Sequence, residues 1–97
     1  MNENNSGIMT KIWGPPGWVF LHCVVMGYPS KIDKKDKTHI KRMKETRNFF
    51  ESMAYILPCR YCRESYQQYI KELPIKKHLR TRKKLAKWLY DIHLALE

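Results

Sequence analysis

The sequence predicts an all-α protein, a bundle of four helices with short connections. Three observations predict it. Apolar residues recur every three or four positions in four separate stretches. No segment alternates apolar and polar residues over a useful length, so no strand is expected. Prolines and glycines fall between the stretches, at Pro15 and Pro16, Gly27 and Pro29, Pro58 and Pro74, where they can start or stop a helix.

The first helix is expected over about residues 16–27. Pro15 and Pro16 suit a first turn, in which a backbone N–H has no intrahelical partner to lose. Trp18, Leu21, Val25 and Tyr28 recur at helical spacing, and Gly27 with Pro29 ends the helix. A second, longer helix follows a Lys-rich loop and carries Ile40, Met43, Arg47, Phe50, Met53, Ala54 and Leu57 on one stripe. Pro58 stops it, because the residue before a proline is pushed out of helical space. The third helix is expected from Pro58 and Cys59 to about Leu73, with Tyr66, Tyr69, Ile70 and Leu73 inward, and Pro74 ends it. Thr81 can cap a fourth helix whose Leu85, Trp88, Leu89 and Ile92 face the core. Residues 1–10 read as a disordered polar tail and 11–97 as one helical domain.

Composition sets the outer bounds. At 97 residues, 43% of them hydrophobic, the chain suits one small domain near the lower end of what folds alone. Three cysteines cannot form a dense disulfide framework. The longest apolar run, residues 18–28, is interrupted by His22 and is well short of the roughly 20 residues that cross a bilayer. The opening MNENNSGIMTK has neither the basic nor the apolar region of a secretory signal, so synthesis in a cytosol is expected. The net charge of +10 is unevenly placed, with eight Lys or Arg between Lys31 and Arg47 and seven, with no acid, between Lys76 and Lys87. Such a chain is drawn to polyanions at low salt. The common nucleic-acid motifs are absent, so no specific nucleic-acid partner is expected.

The chemistry concentrates at Cys59-Arg60-Tyr61-Cys62. Two cysteines three positions apart fit on one helical turn and can close a disulfide. Directly after Pro58 they fall at a helix start, where free N–H groups and the helix dipole favour a thiolate. Arg60 and Arg63 add positive charge. A lowered thiol pKa is what disulfide exchange at neutral pH needs. Competing chemistries lack their residues. A c-type haem site needs His after the second cysteine, where Arg63 stands. Zinc needs four ligands, and Cys23, His22, His39, His78 and His93 supply no second pair at finger spacing, so no metal is expected. A structural bridge would close a very short loop and stabilise little. Cys23 is expected to be a small buried apolar residue. A dithiol gives up two electrons at once and thiols alone reduce oxygen poorly, which directs attention to a flavin acceptor.

Trp13, Gly14, Trp18, Leu21 and His22 spell W-G-x-x-x-W-x-x-L-H, followed by Tyr28-Pro29. Phe49-Phe50 precede Leu57-Pro58-Cys59-x-x-Cys62, with Tyr69 beyond, and Thr81-Arg82 lead to Leu85, Trp88-Leu89 and His93. Over about residues 12–93 the chain resembles the Erv/ALR family of FAD-linked sulfhydryl oxidases, in a short form similar to members from large DNA viruses. The resemblance implies a four-helix bundle of the Erv/ALR type, usually a homodimer, with FAD at its mouth. It implies that Cys62 is the flavin-proximal sulfur and Cys59 the interchange sulfur that meets substrate. It implies cofactor contacts at Gly14, Trp18, His22, Tyr66 and His93. The family continues past its histidine as H-N-x-V-N, whereas this chain reads His93-Leu94-Ala95-Leu96-Glu97, so the contacts of that segment with the flavin are expected to be missing.

The expected function is therefore FAD-dependent oxidation of protein dithiols. Electrons would pass from Cys59 and Cys62 through flavin to molecular oxygen, giving hydrogen peroxide. A viral factory or virion is a site that the resemblance allows. Two other readings stay open on the sequence alone. One is a family member acting as a non-catalytic binding module. The other is a basic nucleic-acid-binding helical protein, with residues 76–87 as its candidate surface.

Overall fold

The computed structural model describes residues 10–96. It contains α1 (Thr10–Met26), α2 (Lys37–Ile56), α3 (Arg60–Glu72) and α4 (Arg82–Leu96), with a short 3-10 turn at Ile75–His78. α1 packs on α4, α2 on α3, and α3 on α4. The only extended pairing among the described residues is an isolated bridge between Lys31 and Thr81. None of the described helices is long and apolar enough to cross a membrane. The expected tail lies outside the described residues, except for Thr10, which is the first residue of α1.

The apolar residues of the stripes read from the sequence pack in or against one core, whereas Arg47, expected on the α2 stripe, is exposed and pairs with Glu51. Leu85, Trp88, Leu89 and Ile92 of α4 are at most 1% exposed. They meet Leu21 and Val25 of α1, Phe50, Met53 and Ala54 of α2, and Tyr66 of α3 in one core. Trp88 sits at its centre, edge-on to Phe50 at 5.4 Å, and its indole N–H donates to the Leu73 carbonyl at 2.7 Å. That bond satisfies the one polar group of a fully buried indole.

The starts of α2, α3 and α4 carry side-chain caps. Asp36 accepts from the amides of Thr38 and His39, Cys59 Sγ from the Cys62 amide, and Thr81 Oγ1 from the Lys84 amide. Each occupies donors that an α-helix leaves without partners in its first turn. The third helix thus begins at Arg60, with Cys59 as its cap rather than its first residue.

The first helix departs from expectation. It begins at Thr10, not Pro16, and carries Pro15 and Pro16 inside it. Prolines here remove the i+4 donors of Lys11 and Ile12, both exposed residues whose carbonyls water can reach. Continuing the helix past them puts Thr10, Trp13, Gly14, Gly17 and Leu21 on one side of α1, and all five line one cavity.

The chain after α1 is tied to the chain before α4. The Tyr28 hydroxyl donates to the Leu79 carbonyl at 2.6 Å, and Arg82 Nε donates to the Tyr28 carbonyl at 2.6 Å. The Ile32 amide donates to the Arg80 carbonyl and the Arg82 amide to the Ser30 carbonyl. Arg42 on α2 donates to the Gly27 carbonyl. α1 therefore runs from the cysteine pair, beside Thr10, to this knot of loops, a helix length of about 25 Å.

Candidate functional site

A cavity of about 320 Å³ opens between the start of α1, the ends of α2 and α4, and the start of α3. Its wall is mostly apolar and aromatic, with Trp13, Trp18, Phe49, Tyr61 and Tyr69 among its residues. Cys62 lines it and Cys59 does not. A shallower groove runs along the other side of α1, past His22, Cys23 and His93. Thr10, Gly14, Trp18 and Leu96 border both, so the two form one continuous concave surface.

The cysteine pair is built by a helix start. Both thiols are free. Pro58 leaves the chain extended at Cys59, whose φ of −108° and ψ of 128° aim its sulfur back over the first turn of α3. There it accepts the Cys62 amide at 3.3 Å. Burial by itself would raise the Cys59 thiol pKa. Hydrogen bonds from the Cys62 thiol, the amides of Cys62 and Tyr61, and the Thr10 hydroxyl outweigh burial and hold it below its ordinary value. Cys62 moves the other way. Burial, the hydrogen bond to Cys59 and the Cys59 charge push it up to about 11, against a smaller opposing bond from Thr10. The sequence suggests activation of the pair as a whole. The fold instead favours the thiolate at Cys59 over Cys62.

The aromatic side of the site joins α1 to α4. Trp18 stacks on His93 with ring centroids 3.9 Å apart and planes 10° from parallel. His22 Nε2 lies 3.1 Å from His93 Nδ1. One imidazole must donate and the other accept, so a doubly protonated pair cannot make this bond. Burial first, and the neighbouring His93 second, hold His22 below its ordinary pKa.

Gly14, Trp18, His22 and His93 come together on this surface. Tyr66 does not. It is 1% exposed, lines neither concavity, and donates its hydroxyl to the Phe50 carbonyl at 2.5 Å. A ring pinned between α2 and α3 belongs to the core, and Tyr69 stands on the cavity wall instead. Cys23, expected to be buried, is exposed beside the groove, because it falls on the outer side of α1 while Leu21 and Val25 face inward.

Two further site residues emerge only in three dimensions. Thr10 shares the cavity wall with Cys62, and its hydroxyl favours the thiolate at both sulfurs. Trp13 carries the one buried side-chain polar atom among the described residues that lacks a hydrogen-bond partner, its indole Nε1. Extending the helical period backwards through the two prolines would have placed both on the face of Leu21. The glycines of this face are not required by protein packing. A Cβ at Gly14 would meet only the Thr10 methyl at 3.6 Å, and one at Gly17 only the Trp13 ring at 3.8 Å, both ordinary contacts. Glycine inside a helix costs roughly 0.5–1 kcal/mol relative to alanine. Two such residues on a cavity wall fit a surface that a ligand approaches closely.

Comparison with known proteins gives a consistent result. The model of the Erv1 / Alr family matches residues 15–95. A probable FAD-linked sulfhydryl oxidase of Acanthamoeba polyphaga mimivirus is 38% identical over 82 residues, covering 84% of this chain and 53% of that protein. The mitochondrial FAD-linked sulfhydryl oxidase of Saccharomyces cerevisiae is 26% identical over 80 residues, covering 82% of this chain and 38% of that protein. A putative FAD-linked sulfhydryl oxidase of invertebrate iridescent virus 3 is 26% identical over 83 residues, 86% of this chain and 52% of that protein. The chain thus spans about half the length, or less, of the relatives it matches.

Proposed function

The chain belongs to the Erv1 / Alr family, and from that premise we propose that it is a FAD-dependent thiol oxidase acting on protein dithiols. The observation that carries this reading is the placement of Cys62, one half of a close cysteine pair, on the wall of an aromatic cavity. The residues present fit a flavin. The cavity volume lies within the roughly 300–1,000 Å³ typical of small-molecule sites. Its wall offers flat aromatic surface, two glycines without a packing need, and an indole N–H awaiting an acceptor. Trp13, Gly14, Gly17, Trp18 and Tyr69 would hold the ring system, with His22 and His93 along the adjoining groove. FAD bound there supplies a two-electron acceptor that can return to its oxidised form with molecular oxygen, giving hydrogen peroxide.

The protein's own residues perform the thiol chemistry. A substrate thiolate attacks the Cys59–Cys62 disulfide, forming a mixed disulfide and releasing the other sulfur. The second substrate thiol then resolves it, so the substrate loses two electrons and two protons and the pair is reduced. We assign Cys59 as the interchange sulfur and Cys62 as the cavity-side sulfur. In the reduced pair Cys62 is the harder sulfur to ionise, and its proton must leave before that sulfur acts as a thiolate. The Thr10 hydroxyl favours the thiolate at either sulfur and eases that transfer. A second copy of the chain is proposed to cover the outer side of α1, where Ile12, Val19 and Met26 are each more than 60% exposed.

The test is a visible spectrum of the purified protein with and without added FAD, followed by a dithiol under air. A flavin band that bleaches with dithiol and returns with oxygen is expected. Cys62→Ser should abolish the bleaching by dithiol. A protein that binds no FAD, or a Cys62→Ser variant that oxidises dithiols at the original rate, refutes the proposal.

A further inference from the structure

The excess positive charge of this chain is gathered at one end. The two basic stretches are some 40 residues apart in sequence, yet the bridge between Lys31 and Thr81 lays their loops side by side. The two flanking backbone hydrogen bonds, Ile32 to Arg80 and Arg82 to Ser30, fix that contact. Residues 28–44 and 74–84 together hold thirteen of the 19 Lys and Arg and only two of the nine acids. The rest of the chain holds six cations against seven acids, which is close to neutral. The basic end lies at the far end of α1 from the cysteine pair, about 25 Å away.

The two ends also differ in how their charges are used. Away from the basic end, cations pair along helices, as in Arg47 with Glu51, Arg60 with Glu64, and Lys87 with Asp91. At the basic end Lys41 pairs with Glu45 at its border, but Lys31, Lys34, Lys35, Lys37, Lys76, Lys77, Lys83 and Lys84 are exposed and none of these eight is in an ion pair among the described residues. The two acids there are engaged locally. Asp33 accepts the Lys35 amide, and Asp36 caps α2. A face that served only solubility would not need one sign of charge, unpaired, from two distant segments.

The chemistry of this end selects its partner. Ten of its thirteen cations are lysines. It presents no exposed large hydrophobic residue, since Tyr28, Ile32, Ile75 and Leu79 are buried. Protein interfaces are depleted in Lys and anchored by aromatic residues, which this end lacks. It likewise has nothing apolar to insert into a bilayer and no exposed ring on which to stack an unpaired base. A field of lysine point charges suits a dense, regular array of phosphates. We infer that the basic end is a sequence-independent docking surface for the phosphate backbone of duplex nucleic acid, holding the cysteine pair on the side facing away. This surface does not involve Cys59 or Cys62, so it stands or falls separately from the thiol oxidase activity.

The test is fluorescence anisotropy of a 20-base-pair DNA duplex with the full chain, titrated at several NaCl concentrations. With about six phosphates contacted, affinity falls about 1,000-fold between 50 and 200 mM salt. Two variants of equal net charge separate a site from diffuse attraction. Lys34→Gln, Lys76→Gln, Lys77→Gln and Lys84→Gln together should reduce the magnitude of the log–log salt slope by about 3–4. Arg47→Gln, Arg60→Gln, Lys71→Gln and Lys87→Gln together should change affinity less than about threefold. Circular dichroism checks that both variants keep their helices. Binding should be unchanged in the Cys59→Ser, Cys62→Ser double variant, and a second duplex of unrelated sequence should bind equally. Equal loss in the two charge variants overturns the proposal. So does binding to phosphatidylserine vesicles or poly-glutamate at least as tight as binding to duplex.

Discussion

Replacing Trp13 with Phe should leave the stability of the flavin-free protein nearly unchanged and weaken its hold on FAD. The indole Nε1 of Trp13 is buried without a hydrogen-bond partner. An unsatisfied buried donor costs roughly 1–3 kcal/mol, and phenylalanine removes it. The smaller ring also loses packed apolar surface, worth about 0.8 kcal/mol per methylene-sized group, or about 1–2 kcal/mol here. The two nearly cancel, so flavin-free Trp13→Phe should unfold in urea within about 1 kcal/mol of the parent. In the FAD-loaded protein the same change deletes a satisfied donor. A hydrogen bond is worth about 0.5–1.5 kcal/mol net, so FAD affinity should fall about 2- to 13-fold. Urea unfolding of the flavin-free protein and FAD titration by flavin fluorescence measure the two halves. A flavin-free variant destabilised by more than about 3 kcal/mol, with unchanged FAD affinity, would show that Trp13 is a packing residue and that its N–H awaits nothing.

The cysteine pair should titrate in two well-separated steps when the 240 nm thiolate absorbance of the reduced, flavin-free protein is followed: one below the ordinary thiol value of 9.0 and one near 11. Thr10→Val should raise both steps, and Thr10→Ser should restore them. Widening Gly14 to Leu should abolish FAD binding while leaving helicity by circular dichroism unchanged, since protein atoms meet an added Cβ only at ordinary contact distance. His22 is held below 6.5, so the folded state binds its proton less readily than the unfolded chain does. Its contribution to stability is complete above that pH and is lost as pH falls through the acid range, and His22→Gln should flatten this part of the stability profile measured in urea. Asp36→Ala should cost about 1 kcal/mol by removing the α2 cap.

Most of the fold is legible in the sequence because helix-forming information is local. The spacing of Leu85, Trp88, Leu89 and Ile92 depends only on 3.6 residues per turn, and all four are buried as that spacing predicts. Thr81 is a cap because its hydroxyl reaches an amide three residues away. The cysteine pair was legible for the same reason, since its helix start is set by Pro58 next door. The site itself was only partly legible. Pro15 and Pro16 suggested a helix start, yet the helix begins six residues before Pro16, because the carbonyls the prolines leave without donors sit on exposed residues. That hid the orientation of Trp13 and the place of Thr10 on the cavity wall. Tyr66 sits beside the cysteine motif in sequence, but its rotation about α3 points it into the core.

Contacts within about four residues account for what could be read from the sequence: the courses of α2, α3 and α4, most of the inward stripes, the Thr81 cap and the closeness of Cys59 to Cys62. Which cysteine favours the thiolate follows from tertiary packing, since it depends on how far each sulfur is buried and on the bond between them. Tertiary packing alone brought Trp18 and His93 into a stack and left the indole of Trp13 without a partner. It also converted two separate basic runs into one charged end. Net charge is a sum over the chain, but an electrostatic field depends on where the charges meet in space.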